Sequence, residues 1–248
     1  MKSPTCDRYA HRQADRALIL AQRLLETITH SPEIEEDMAL SNLALDLIGQ
    51  ARTLYTYVDP ADDGEDRLAY FRDAHEFLNP LLVEQPNGDF AGILVRQFLH
   101  DAFAVAYWDA MTTSTDATFA ALAGKAVKET TYHLRHSRSW VIRLGDGTDE
   151  SHRRVAAAVE RLWPFTHELF EVDEVERELV ATGIAVDPAD LLPIWQETVH
   201  ATLAEATLAV PTDGDRPSGG RVGLHSPEFD ALIAELQVVA RAHPGATW

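Results

Sequence analysis

Two long apolar stripes in this sequence are interrupted by residue types that bind metals and move protons. Between Phe90 and Met111, Leu94, Phe98, Asp101, Val105 and Trp108 follow one another at intervals of four and three residues. Between Asp116 and Arg143, Leu122, Ala126, Glu129, His133, His136 and Trp140 do the same. Such intervals place each set on one face of a helix. A carboxylate on a buried face is costly unless it is paired, hydrogen-bonded or bound to metal. Inward-facing acids and histidines are also how helical bundles build dinuclear iron centres. Such a centre takes a Glu from each of two helices and a Glu-x-x-His pair from each of two others.

Tested against that template, the ligand set is incomplete. Asp101 is one lone acid, and Glu36 is another, because it continues the stripe Leu40, Leu43, Leu47, Gln50 and Leu54. Glu129, however, has Tyr132 at i+3 and His133 only at i+4. Asp73 and Glu76 lie off the apolar face of Ala74, Phe77, Leu78 and Leu81. The one literal Glu-x-x-His runs from Glu197 to His200 and sets Glu197 nearly opposite Trp195, Val199 and Leu203. The residues therefore predict a vestigial polar core of Glu36, Asp101, Glu129 and His133, partnered by hydrogen bonds, with no metal on this chain and no catalytic residue. The alternative is an active oxidase or oxygenase whose irregular metal site uses the same four residues. No nucleophile competes. Cys6 is near the terminus, Ser151-His152 starts a helix, and Gly219 to Gly223 lacks the strand and helix of a phosphate loop.

The elements that would carry these residues are all helical, and no stretch alternates as a strand does. Helices are expected over Arg8 to Thr29, Glu33 to Val58, Asp66 to Leu78, Phe90 to Met111, Asp116 to Arg143 and Thr148 to Trp163. Further helices are expected around Asp173 to Ala181, through Trp195 to Leu203, and from Pro227 to Ala242. Pro32, Asn79-Pro80, Gln85 to Gly88, Gly145 to Gly147, Pro164 and Thr182-Gly183 punctuate them. The stretch Pro211 to Gly223 looks least ordered. Length and composition suit one all-α domain over residues 1–248.

Forty acids face 21 lysines and arginines, for a formal charge of −19. That argues against nucleic acid or an anionic membrane as partner and favours basic protein surfaces. Lys125, Lys128, Arg135 and Arg138 form a basic stripe on the side of their helix away from the apolar face. It is either a solvated face or a contact for another protein chain or an anionic ligand. One cysteine excludes an internal disulfide. No signal peptide or membrane span is visible at the sequence level, so a cytoplasmic protein is expected.

Several longer strings are idiosyncratic: Leu81 to Phe90 (LLVEQPNGDF), Lys128 to Arg135 (KETTYHLR), Arg143 to Thr148, Gly183 to Pro188, Gly223 to His225, and Ala44 to Arg52. With the terminal Pro244-Gly245 and Trp248, they closely resemble the PaaC-type structural subunit of bacterial phenylacetyl-CoA epoxidases, over essentially the whole chain. The resemblance implies a ferritin-like bundle of long helices with additional C-terminal helices. It implies a non-catalytic role supporting a related catalytic subunit, one that carries di-iron. It also implies a small accessory subunit and a reductase bringing FAD, a [2Fe–2S] cluster and electrons from NADPH. The substrate of the complex would be phenylacetyl-CoA, epoxidised during phenylacetate breakdown. Because the family works as a complex on a large thioester, the break at Glu76, Phe77, Leu78 and Asn79 is expected near contacts with substrate or with another subunit. Arg177, Glu178 and Leu179 are a second candidate for that surface.

Overall fold

The computed structural model describes residues 3–212 and 214–246; Lys2 and Trp248 lie outside them. In chain order the helices are α1 (Pro4–Leu25), α2 (Ile34–Val58), α3 (Gly64–Tyr70), α4 (Leu81–Glu84), α5 (Phe90–Met111), α6 (Ala117–Gly145), α7 (Asp149–Leu162), α8 (Glu174–Ala181), α9 (Leu192–Glu205) and α10 (Phe229–Ala242). Short 3-10 turns link several of them, and no strand occurs among the described residues. The all-α expectation holds.

The chain packs as two compact units. One comprises the chain up to His30, Glu35–Pro86 and the part from Ser218 on; the other comprises Ser31–Ile34 and Asn87–Pro217. In the first unit α1 packs on α4, and α10 packs on α3 and the Ala74–Glu76 turn. In the second, α5 is the central element and contacts α6, α7 and α9. Its residues from Ala91 to Ala104 are buried on every side. That is the signature of a helix enclosed by others rather than lying on a surface.

Local chemistry explains where the helices start. The Ser3 hydroxyl accepts from the Cys6 amide, and Pro4 occupies the first turn of α1, so this helix begins four residues before the expected Arg8. Asp89 caps α5 by accepting from the Gly92 amide, and Asp116 caps α6 by accepting from Thr118 and Phe119. Thr148 and Ser151 cap α7 reciprocally.

One helix is shorter than its sequence suggests. The expected run from Asp66 to Leu78 stops at Tyr70, and the chain makes a single 3-10 turn at Ala74–Glu76 before extending through Phe77. Two forces divert it. Asp73 and Glu76 form a capping box that starts a new turn. The buried carboxylate of Asp15 takes Arg72 as a partner and the Leu78 amide as a donor at 2.8 Å. In a continued helix that amide would point at the carbonyl four residues earlier.

Candidate functional site

Asp101 lies midway along α5, on the α6 side, and is fully buried. Gln97, one turn earlier, donates from Nε2 to Oδ1 at 2.6 Å, and His100 Nδ1 stands 3.4 Å from the same oxygen. Ser137 Oγ of α6 is 2.9 Å from Oδ2 and 3.0 Å from the His133 carbonyl. The single Ser137 hydroxyl proton is shared between these two acceptors. Burial pushes the Asp101 carboxyl well above the usual range, against smaller opposing pulls from Ser137 and Gln97. The Trp195 indole of α9 donates to the Leu99 carbonyl at 3.0 Å, tying α9 to α5 beside this group.

The buried line of α6 is rotated relative to the sequence stripe. It runs through Leu122, Ala126, Thr130, His133, Ser137 and Val141, leaving Glu129, His136 and Trp140 on its margin. Thr130 and Ser137 tolerate burial because each hydroxyl returns a hydrogen bond to a carbonyl four residues earlier. Of the four residues expected in the polar core, Asp101 and His133 are fully buried on facing helices. Glu129 is partly exposed and pairs with Lys125 at 3.1 Å. Glu36 is partly exposed in the first turn of α2.

This donor set does not fit a di-iron centre. Asp101 is surrounded by an amide, a hydroxyl and one imidazole, and burial disfavours the ionised form that a metal needs. Glu129 is engaged by a lysine. Among the described residues, no group of three or more His, Cys, Asp and Glu side chains is placed to hold a metal ion.

The richer polar chemistry lies in the other unit. Asp15 of α1, fully buried, accepts from the Tyr55 hydroxyl and from the Arg72 guanidinium at 2.5 Å each. Burial raises the Tyr55 pKa well above its ordinary value, with the charge of Asp15 adding to the effect. Burial opposes the charge on Arg72, yet Asp15 and Tyr55 outweigh it and hold that pKa above the ordinary arginine value. A second buried acid, Glu84, accepts from Asn79 Nδ2 at 2.8 Å, the Ser226 amide at 2.6 Å and His225 Nδ1 at 2.7 Å. His225 Nε2 faces the Phe77 carbonyl at 2.9 Å. A neutral ring can donate to only one of these two acceptors, whereas an imidazolium donates to both.

These contacts decide where the Glu76–Asn79 segment sits. Phe77 and Asn79 are fully buried, Leu78 is half-buried and only Glu76 is exposed. Phe77 packs edge-on against Phe229, and the Arg72 guanidinium lies 4.0 Å from its ring centre. Gly223, at φ +85°, and Gly220 lie so close to the His75 and Asn79 carbonyls that a Cβ at either would collide with them. Around α8, Arg177 and Glu178 are exposed, while Leu179 is buried and its carbonyl accepts from the Ile184 and Ala185 amides. Asp15, Arg72, Glu84 and His225 do not stand out as a constellation in the sequence. The signal there is only an acid close to an apolar run, Ala17 to Ala21 for Asp15 and Leu81 to Val83 for Glu84.

The chain matches, over residues 2–248, the family described as phenylacetic acid catabolic protein, a group with the ferritin-like helical fold. It is 46% identical over 242 residues to a protein of Escherichia coli K12 named as one subunit, the one lettered C, of 1,2-phenylacetyl-CoA epoxidase. The match covers 97% of this chain and 98% of that protein.

Proposed function

We infer that this chain, which belongs to the phenylacetic acid catabolic protein family, is a non-catalytic structural subunit of a multicomponent phenylacetyl-CoA 1,2-epoxidase. The observation that carries the reading is the state of the polar core. Asp101 is buried among an amide, a hydroxyl and one imidazole and Glu129 is tied to Lys125, so among the described residues these positions offer no ligand set for the iron that oxygen activation requires. In this reading the di-iron belongs to a separate catalytic subunit, which the helical units here support. A small accessory subunit and a reductase with FAD and [2Fe–2S], fed by NADPH, would complete a cytoplasmic complex acting on phenylacetyl-CoA. No helix of the described residues is long and apolar enough to cross a membrane.

Two measurements test this. Metal analysis of the isolated chain, expressed in iron-replete medium, is expected to find far less than one iron per chain. About two irons per chain, the content of a dinuclear site, would overturn the reading. Asp101→Asn in the reconstituted complex is expected to leave turnover of phenylacetyl-CoA at the parent rate. Loss of turnover with assembly intact would restore the irregular-site alternative.

A further inference from the structure

We propose that the outer face of α6 docks an acidic protein surface on a partner subunit; this rests on the reading of the chain as an epoxidase subunit. At 100° per residue, Lys125, Lys128, Thr131, Tyr132, Arg135, Arg138, Ser139, Ile142 and Arg143 all fall within one face of the helix. From Lys125 to Arg143 the stripe is about 27 Å long at 1.5 Å per residue. α6 carries five lysines and arginines against one acid, Glu129, in a chain whose formal charge is −19. So strong a reversal of sign along one helix sets a local field opposite to the net charge of the chain.

The pairing of these cations separates them from ordinary surface charges. Arg52, Arg67, Arg153, Arg154 and Arg241 each hold an acid. Lys128, Arg135 and Arg143 hold none among the described residues, although the chain has nearly two acids for every base. Two of them are instead laid on aromatic rings, Arg135 5.3 Å from the centre of Tyr132 and Arg143 4.7 Å from that of Trp140. That stacking limits their motion and leaves their N–H groups unused. Between the arginines runs an open groove of about 510 Å³, lined by Leu134 and Ile142 with Thr131, Ser139 and the Arg138–Glu205 pair at its sides. Arginine, tyrosine and tryptophan around an apolar strip are the residue types that carry the energy of protein interfaces. The occupant that fits is a polypeptide face offering carboxylates to Arg135 and Arg143 and an apolar side chain to the strip.

The test uses the full chain co-expressed with the other subunits of the epoxidase and followed by sedimentation velocity at low and moderate salt. Arg135→Glu/Arg143→Glu is compared with Arg8→Glu/Arg52→Glu, an equal charge change at exposed positions elsewhere. The first pair is expected to weaken assembly at least tenfold and to reduce its salt dependence, with the melting temperature of the isolated chain unchanged and the second pair assembling like the parent. Assembly of the α6 variant at parental affinity would overturn the proposal, as would an equal loss in the second pair. If the parent chain itself fails to assemble, both the subunit reading and this proposal fall. Titration of coenzyme A into the isolated chain is expected to show no saturable binding. Binding that Arg135→Glu/Arg143→Glu abolishes would reassign the face to a phosphate-bearing ligand and overturn the protein-docking proposal.

Discussion

The two units bury carboxylates in opposite ways. In the first unit, Asp15 and Glu84 are fully enclosed and each has a cationic or potentially cationic partner, Arg72 and His225, along with backbone amides. In the second, Asp101 is as deeply enclosed but accepts from an amide and a hydroxyl, with the His100 imidazole farther off at 3.4 Å, and burial raises its pKa well above the usual carboxylate range. The first arrangement ties distant segments of chain together through charge. The second is a neutral packing element that happens to be an acid. The lesson is that a buried acid is to be read from the partners that packing gives it and not from its burial alone.

The comparison breaks most sharply at Arg72. Arg72→Met strands Asp15 as an uncompensated buried charge and is expected to cost about 3–5 kcal/mol, measured by urea denaturation. A loss below about 1 kcal/mol would mean that the pair behaves as a surface ion pair. Phe77→Ala tests the apolar support under the same guanidinium. It removes a fully buried ring against Phe229 and is expected to cost about 3–5 kcal/mol, and an unchanged denaturation midpoint would show that Phe77 is not packed as described.

Glu84→Gln sharpens the contrast, since it keeps the shape but removes the charge shared by His225, Asn79 and the Ser226 amide. A loss of about 1–3 kcal/mol is expected, along with faster hydrogen exchange at Ser226. The smallest effect is expected at Asp101. Its folded-state pKa is raised, so the folded chain holds this proton more tightly than the unfolded chain does. That contribution is full below the ordinary carboxylate pKa of about 4 and is lost as pH rises toward the folded value. Asp101→Asn is therefore expected to change stability little in acid and to gain on the parent between pH 5 and pH 8. Parallel pH profiles for the two proteins would show that Asp101 is ionised in the folded state.

Much of this architecture was legible in the order of residues. Periodic apolar spacing marked α2 and α9 with their core faces and α5 and α6 as helices, because helix burial follows a 3.6-residue repeat that needs no knowledge of neighbours. The helix starts at Asp116, Thr148 and Asp173 were legible, and the structure shows each as a cap, because capping is local hydrogen bonding. The missing Glu-x-x-His register was visible for the same reason, since i, i+3 geometry belongs to one helix.

What the sequence could not express was partnership across long separations. Glu129 and Thr130 compete for the inner line of α6, and only the approach of α5 selects the hydroxyl and turns the carboxylate toward Lys125. The helix expected through Leu78 fails because Asp15, 63 residues away in the chain, takes the Leu78 amide. The Glu84–His225 pair closes a separation of 141 residues. The sequence alone determined that the chain is built of helices and where most of them start, because those depend on neighbours within one turn. The tertiary structure alone decided which groups each buried acid meets, because packing delivers those partners from distant parts of the chain.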